Sequence, residues 1–486
     1  MTYDLLIIGG GINGSAIARE AALNGLSVLL VEKGDLAGAT SSASTKLIHG
    51  GLRYLEYYEF KLVAEALRER ERLIHAAPHI IHPLRFVLPH EHAVRPWWMV
   101  RLGLLLYDML GGRMSLPRSR GIRPGDTSFT APLKGSGKGF VYSDAWVDDA
   151  RLTVLNAVDA AANGAEIAVR TELVSARRDG DAWQAALGDG RSVSARALVN
   201  AAGPWVHQML ARLGTNAAAN VRLVKGSHIV VPRLFDGDHA YILQQPDRRI
   251  VFAIPYERDF TEVGTTDVPV DAPEDAVIDA GEIAYLCDAV NRHFVRQIGP
   301  QDVRWSWSGV RPLYDDGASD AKAVTRDYVL ELDTHGPVLL SVFGGKITTA
   351  RHLAEEALGK LALPLGVRSH PVTRSRCFPG GDFGDFAAFL DRVRATWPFL
   401  GDVQSARMAR AYGSMLFDML AGITDPADMG TAFGGGLSEI EAHWLHDREW
   451  ARTAEDVLAR RSKIALHMTM TERAVFEDWW ASVYRA

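Results

Sequence analysis

Tyr3-Asp4-Leu5-Leu6-Ile7-Ile8-Gly9-Gly10-Gly11-Ile12-Asn13-Gly14 opens the chain, and the reading of this stretch decides the fold. The apolar run to Ile8 has the composition of a strand buried in a parallel sheet. The turn Gly9-x-Gly11-x-x-Gly14 follows, and a helical stretch through Ala16, Ile17, Ala21 and Ala22 stops at Asn24-Gly25. Ser27–Val31 is a second buried strand, ending at Glu32. Strand, glycine turn, helix, strand and acid in this order form the dinucleotide fingerprint in the context it requires. The first glycine permits the tight turn, the second lets backbone approach a pyrophosphate, and the third lets helix pack on strand. The helix N-terminus supplies N–H groups and a positive dipole to the diphosphate, and Glu32 accepts hydrogen bonds from the ribose hydroxyls. The fingerprint does not separate NAD from FAD.

The chain has 486 residues, 47% of them apolar and 23% charged, which is ordinary globular composition and excludes a disordered or fibrous protein. Its length allows two to four domains at about 100–200 residues each. Cys287 and Cys377 show no metal-ligand spacing, so the composition suits a reducing compartment and no metal site is expected. A net charge of −6 argues against nucleic acid as a partner. No basic segment precedes the first strand, so no signal peptide is expected. No apolar run reaches the roughly 18 residues of a spanning helix.

Further along, residues 58–77 predict an amphipathic helix burying Leu62, Val63, Ala66, Leu67, Leu73 and Ile74. Residues 112–139, rich in Gly, Pro, Ser and Arg, predict an irregular excursion; Gly135-Ser-Gly-Lys-Gly139 follows no strand and opens no helix. Period-two patterning from 165 to 200 and from Ser227 to Asp267 predicts strands. Helices are expected after about 375, with Thr453-Ala-Glu-Asp456 fitting a capping box. Trp97–Leu110 is apolar on nearly every side, and Arg95, Arg101, Arg113, Arg118, Arg120 and Arg123 accompany it. It reads either as an interfacial membrane anchor or as a buried core helix.

Three segments carry chemistry beyond the fingerprint. Ala197–Trp205 is a strand running into a glycine turn, and Val338–Thr349 is a strand, the turn Gly344-Gly345-Lys346 and a helix start. A helix N-terminus with Lys346 beside it suits the negative charge on the N1–C2=O edge of a reduced flavin. Thr40–Glu56 carries five hydroxyl residues, then Lys46, His49 and Arg53, just beyond the second strand. Loops at the carboxyl ends of parallel strands are where ligands sit in open α/β sheets. Leu47, Ile48, Leu52, Tyr54 and Leu55 need burial and carry His49 and Arg53 inward with them.

The run Ser41–Glu56, together with Gly226–Val230, Gly264–Asp267, Ser308–Pro312, Thr325–Tyr328 and Phe343–Thr349, closely resembles the FAD-dependent glycerol-3-phosphate dehydrogenases. The resemblance spans nearly the whole chain, including Ala451–Arg461. It implies a glycine-oxidase-like α/β flavoprotein with a Rossmann-type FAD-binding domain, an antiparallel-sheet substrate cap and a helical C-terminal domain. The expected divisions are 1–77, 142–225 and 306–374 for the FAD domain, 78–141 and 226–305 for the cap, and 375–486 for the C-terminal domain. Non-covalent FAD is then expected on Gly9, Gly11, Asn13, Gly14, Glu32, Ser41, Ser42, Ser44, Lys46, Leu47, Ala202, Gly203, Gly345, Lys346, Ile347 and Thr348.

The resemblance further implies oxidation of sn-glycerol 3-phosphate to dihydroxyacetone phosphate, with electrons passed to a membrane quinone. The enzyme is then expected in the cytoplasm, peripheral on the inner face of the membrane, with a homo-oligomer allowed. The reaction needs a base for the hydroxyl proton and cations for a phosphate dianion. His49 suits the base, since imidazole titrates near neutrality, with His228 the second candidate. Arg53 and Arg311 suit a bidentate grip on phosphate, and Lys346 serves substrate, flavin or both. Tyr54 and Thr266 complete the substrate set unless they pack in the cap. Whether His49 or Arg311 handles the proton stays open. The rivals are an oxidase returning electrons to oxygen, an amino-acid oxidase of the same fold, and a flavin-bearing scaffold without turnover.

Overall fold

In the computed structural model, which describes residues 2–484 apart from 92, 94, 113, 136 and 315–327, strand β1 (Thr2–Ile8) lies inside a sheet of mostly parallel strands. It runs parallel to β2 (Val28–Val31) on one side and to Ser192–Asn200 on the other. Glu166–Ala168 extends the sheet beyond β2, and Val338–Phe343 extends it beyond Ser192–Asn200, both parallel. Helices cover one face: α1 (Ile12–Leu23) packs on Asp149–Ala162 and Ala350–Leu365 through Ile17, Ala21, Val154 and Leu353. Trp183, Leu198 and Phe343 fill the other face. Double coverage is why β1 and β2 read as continuous apolar runs rather than alternating ones.

A second sheet is predominantly antiparallel and forms the cap. Its longest ladder joins Val221–Pro232 to Trp305–Tyr314, registered from Val221 opposite Tyr314 to Val230 opposite Trp305. Ile229, Val231 and Val263 bury one face of this sheet against Leu286 and Val290 of the helix Ala280–His293. The opposite face turns toward the glycine loops of the first sheet: a Cβ added to Gly309 would lie 3.0 Å from that of Ala43. These ladders move the expected division points. Val221–Pro232 crosses the boundary at 225, Gly139–Val147 crosses that at 141, and Trp305–Tyr314 pairs into the cap sheet rather than the FAD-domain sheet. A hydrogen-bonded strand cannot be cut, and composition alone does not reveal which sheet it joins.

The helices Phe386–Thr396, Gly401–Tyr412, Glu439–Glu449 and Met470–Val483 enclose a separate core around Phe389, Met408, Tyr412, Leu445 and Phe476. The buried ion pair Arg151–Glu449 and the half-buried pair Lys463–Asp148 fasten this domain to the helix Asp149–Ala162 and its N-cap. The capping box forms: the Asp456 amide donates to Thr453 Oγ1 at 3.2 Å and the Thr453 amide to the Asp456 carboxylate at 3.0 Å. It leads into a π-helical turn, Asp456–Arg461. Cys287 is buried, Cys377 exposed, and both are free thiols. Arg113, Ser136 and the Thr325–Asp327 part of one resemblance motif lie outside the described residues.

α2 (Phe60–Ala76) forms as expected and buries Leu62, Val63, Ala66, Leu67 and Leu73, whereas Ile74 is only partly buried. α3 (Trp97–Leu110) buries only Leu104 and Tyr107. Trp98, Leu102 and Met109, on its outer side, are 64%, 50% and 73% exposed, and Tyr58 nearby is 80% exposed. This is not a core helix. Among the described residues no helix is long and apolar enough to cross a membrane.

Candidate active site

The loops following β1, β2, Ser192–Asn200 and Val338–Phe343 meet at the carboxyl edge of the first sheet around a cleft of about 450 Å³. Gly9, Gly11, Asn13, Glu32, Ser41, Ala202, Gly203 and Gly345 all line it. Each glycine of the fingerprint has a geometric reason. Gly9 has φ +109°, and an added Cβ would lie 2.6 Å from Ala201 O. At Gly14 the added Cβ would lie 2.0 Å from Gly9 O, so only glycine lets α1 sit against β1. At Gly11 a Cβ would fill the cradle and approach Ser41 Oγ at 3.1 Å.

Donors and acceptors around this cradle suit a dinucleotide. Ser41 Oγ accepts the Ile12 amide at 2.9 Å, in the first turn of α1, where the helix dipole favours an anion. The two Glu32 oxygens accept the Gly10 and Gly34 amides at 2.7 Å each, fixing the carboxylate while leaving lone pairs for ribose hydroxyls. Burial raises Glu32 above the usual carboxylate range, against those two N–H groups. Asn13 Nδ2 donates to Gly344 O at 3.1 Å, tying the two glycine turns together, while its buried Oδ1 has no partner among the described residues. A buried acceptor without a donor, beside a cradle only glycine leaves open, fits FAD, whose diphosphate would take the cradle amides and whose flavin and ribityl groups carry hydrogen-bond donors.

The segment after β2 is pinned from below. Lys46 is buried and forms a 3.0 Å ion pair with Asp149, and its Nζ also donates to Ser42 O at 3.0 Å. Asp149 accepts from Ser44 Oγ at 2.7 Å and the Ser44 amide at 3.1 Å. Burial works against the Lys46 charge, but Asp149 and Glu262 outweigh it and hold the ammonium above its usual range. Lys46 therefore anchors the cofactor loop rather than presenting its charge to a ligand. Leu47, paired with Trp146, is buried in the cap core.

His49 and Thr348 meet across this site, the His49 amide donating to Thr348 Oγ1 at 3.4 Å. Lys346 Nζ stands 4.3 Å from the centre of the Tyr54 ring, a cation–π contact. Tyr54 folds over Gly51, which has φ +73°. The 49–54 loop and the 346–348 turn thus come together, with Arg53 next to Tyr54 in the chain and Ile347 half-buried against the core beneath.

On the cap face, Arg311 donates to Asp267 and, at 2.9 Å, to Thr265 Oγ1, lying across Gly226. His228 is buried between Gly264 and Trp307, stacked on that indole at 5.4 Å, with Nε2 3.0 Å from Thr45 Oγ1. Burial, with Arg311 and Lys46 adding to it, pushes His228 well below its ordinary range, so its ring is neutral at pH 7. Thr266 does not join this face. Its hydroxyl donates to Glu282 at 2.6 Å and accepts the Ser227 amide at 2.9 Å, on the helix-covered side of the sheet. Thr265 and Thr266 follow the strand Phe260–Gly264 and turn to opposite sides, so Thr265 stands where Thr266 was expected.

Sequence reasoning missed Asp267 and Glu262. Asp267 is the partner that holds Arg311 in place. Glu262 is fully buried, its oxygens have no hydrogen-bond partner among the described residues, and it lies 3.7 Å from His228 Nε2. Burial pushes it up to about 8, with Lys46 opposing. An acid amid an apolar strand was the available signal.

Comparison with known proteins agrees with this geometry. The family model described as FAD dependent oxidoreductase matches residues 4–351. A D-erythritol 1-phosphate dehydrogenase of Brucella abortus is 50% identical over 490 residues, covering 99% of this chain and 98% of its own. A glycerol-3-phosphate dehydrogenase of Pseudomonas aeruginosa is also 50% identical, over 97% of this chain and 93% of its own. The crystal structure of the glycerol-3-phosphate dehydrogenase from Bacillus halodurans complexed with FAD superposes with a TM-score of 0.77 at 26% identity, covering 99% of this chain and 91% of that one.

The cradle yields a direct prediction. Purified protein should be yellow and release FAD on denaturation, and Gly11→Leu should fold yet come out colourless, because the side chain occupies the diphosphate position. Full flavin content in that variant, measured by absorbance, overturns the cofactor assignment to this cleft.

Proposed function

The chain belongs to the family of FAD-dependent oxidoreductases, and from that premise we propose that it oxidises the secondary alcohol of sn-glycerol 3-phosphate to dihydroxyacetone phosphate and passes the electrons to a membrane quinone. The observation that carries the reading is the meeting of residues 49–54 with the turn 344–348, sealed by the His49–Thr348 contact and the Lys346–Tyr54 stack. Together they bring residues bearing an imidazole, an ammonium and, next to Tyr54, a guanidinium beside the turn whose Gly344 and Gly345 line the cofactor cleft. FAD, when bound, supplies the acceptor for the hydride of C2. His49 takes the hydroxyl proton as that hydride leaves. Arg53, Arg311 and Lys346 bind the phosphate dianion, and the Asp267 carboxylate keeps the Arg311 fork in one orientation. Neutral His228 bounds the cap side of the substrate.

A four-carbon polyol phosphate is the second reading, supported by the equal identity to the Brucella abortus relative. Both substrates share a phosphorylated end and a secondary hydroxyl. Comparing kcat/KM for the two esters decides between them, the three-carbon substrate being expected to win.

The outer face of α3 supports membrane association. Trp98, Leu102 and Met109 form an apolar stripe on one side, and arginines 95, 101, 118, 120 and 123 flank it in sequence. On its inner face Tyr107 OH accepts the Gly50 amide at 2.8 Å and donates to Asp144, so the helix bears directly on the loop that carries His49.

Two predictions test these roles. Phosphate lies away from the reacting carbon, so Arg311→Ala should mainly raise KM, by about 10- to 200-fold for the loss of a charge-assisted hydrogen bond. His49→Asn should instead lower kcat by about 10²–10⁴-fold. Full turnover in His49→Asn combined with its loss in Arg311→Ala reverses the assignment. Changing Trp98, Leu102 and Met109 together to glutamine should release the enzyme from sedimented membranes while turnover with a soluble dye acceptor survives. Retention on the membranes by the triple variant contradicts the proposed contact.

A further inference from the structure

The C-terminal helical domain reaches into the cofactor cleft. Arg460, on the π-helical turn, lines that cleft together with Glu32, Asp35 and Arg170, more than a hundred residues beyond the end of the family match. Glu32 marks the ribose end of a dinucleotide site, so this is where the adenosine half of FAD lies. Arg460 is held rather than waving. Its Nε donates to Asp35 at 2.6 Å and its Nη2 to Asp456. Asp456 is itself fixed by Arg170 at 2.9 and 3.0 Å, and the Arg170 amide donates to Gly34 O at 2.9 Å.

Bracing the two domains does not need Arg460. The adjacent Arg461 is fully buried and already forks onto both oxygens of Asp35 at 2.8 Å each. Arg460 adds one bond to an acid already satisfied, and its side chain remains 19% exposed at the rim of the cleft. Nη1 donates to no group among the described residues. A planar guanidinium fixed at two nitrogens, with the third free at the edge of a nucleotide cleft, is preorganised to stack on a purine or to bond it. π-turns interrupt helices at functional positions more often than elsewhere.

We propose that Arg460 is a ligand of the adenosine half of FAD, so that cofactor retention depends on the C-terminal domain. The Asp35–Asp456 pair aims the guanidinium, and Arg461 carries the structural load between the domains.

The test uses apoprotein of the full chain, titrated with FAD and separately with ADP, the latter followed by calorimetry. Arg460→Ala should weaken FAD and ADP alike, by about tenfold or more, while the melting temperature of the apoprotein stays that of wild type. Unchanged FAD affinity overturns the proposal. So does weakened FAD with unchanged ADP, which locates the loss outside the adenosine half, and so does an equal fall in apoprotein stability, which makes Arg460 a brace. If Arg460→Ala is poorly folded, Arg460→Met keeps the packed stem and is read by the same criteria.

Discussion

Asp149 is the residue on which the site depends. Fully buried in the first turn of its helix, it accepts the Lys46 ammonium, the Ser44 hydroxyl and the Ser44 amide at once. A buried ion pair persists only where further hydrogen bonds satisfy both partners, and this one has them. The result is a loop with no freedom to drift. It delivers Ser41 to the first turn of α1, ties Thr40 Oγ1 to Val310 O of the cap at 2.7 Å, and starts the two-residue strand Leu47–Ile48 that leads into His49. Cofactor cleft, cap and the loop that carries His49 are therefore registered against one carboxylate.

Around that anchor the chain closes the site from three directions. The glycine turns at 9–14 and 344–345 are joined through Asn13. The cap sheet carries His228 and Arg311, each oriented by a neighbour, Thr45 for the imidazole and Asp267 for the guanidinium. The C-terminal domain then grips the loop behind Glu32 through Asp35. Pre-set side chains of this kind lose little freedom on binding, which suits them to hold the small anionic alcohol of the proposed reaction in one pose.

What the sequence disclosed follows from the range of the interactions. β1, α1 and β2 were legible because periodicity, glycine spacing and the terminal acid all lie within one local unit. The strand-rich and helical stretches followed from local apolar patterning. The partners of Lys46 and Arg311 were not legible, because Asp149 lies 103 residues from one and Asp267 lies 44 residues from the other. Thr266 and Thr265 exchanged places because a short motif does not state which way each side chain turns in the connection beyond a strand. α3 stayed ambiguous in sequence for a different reason: a helix apolar all round reads alike whether covered by protein or by lipid. Only the exposure of Trp98 and Met109 separates the two.

The central claim is that this cleft oxidises a polyol phosphate using FAD. Anaerobic addition of sn-glycerol 3-phosphate to the purified holoprotein tests it in one observation. The account predicts that the oxidised-flavin absorbance bleaches within the mixing time and returns when a quinone is added. A flavin that stays oxidised under saturating sn-glycerol 3-phosphate, or that is bleached only by a substrate lacking phosphate, would contradict it.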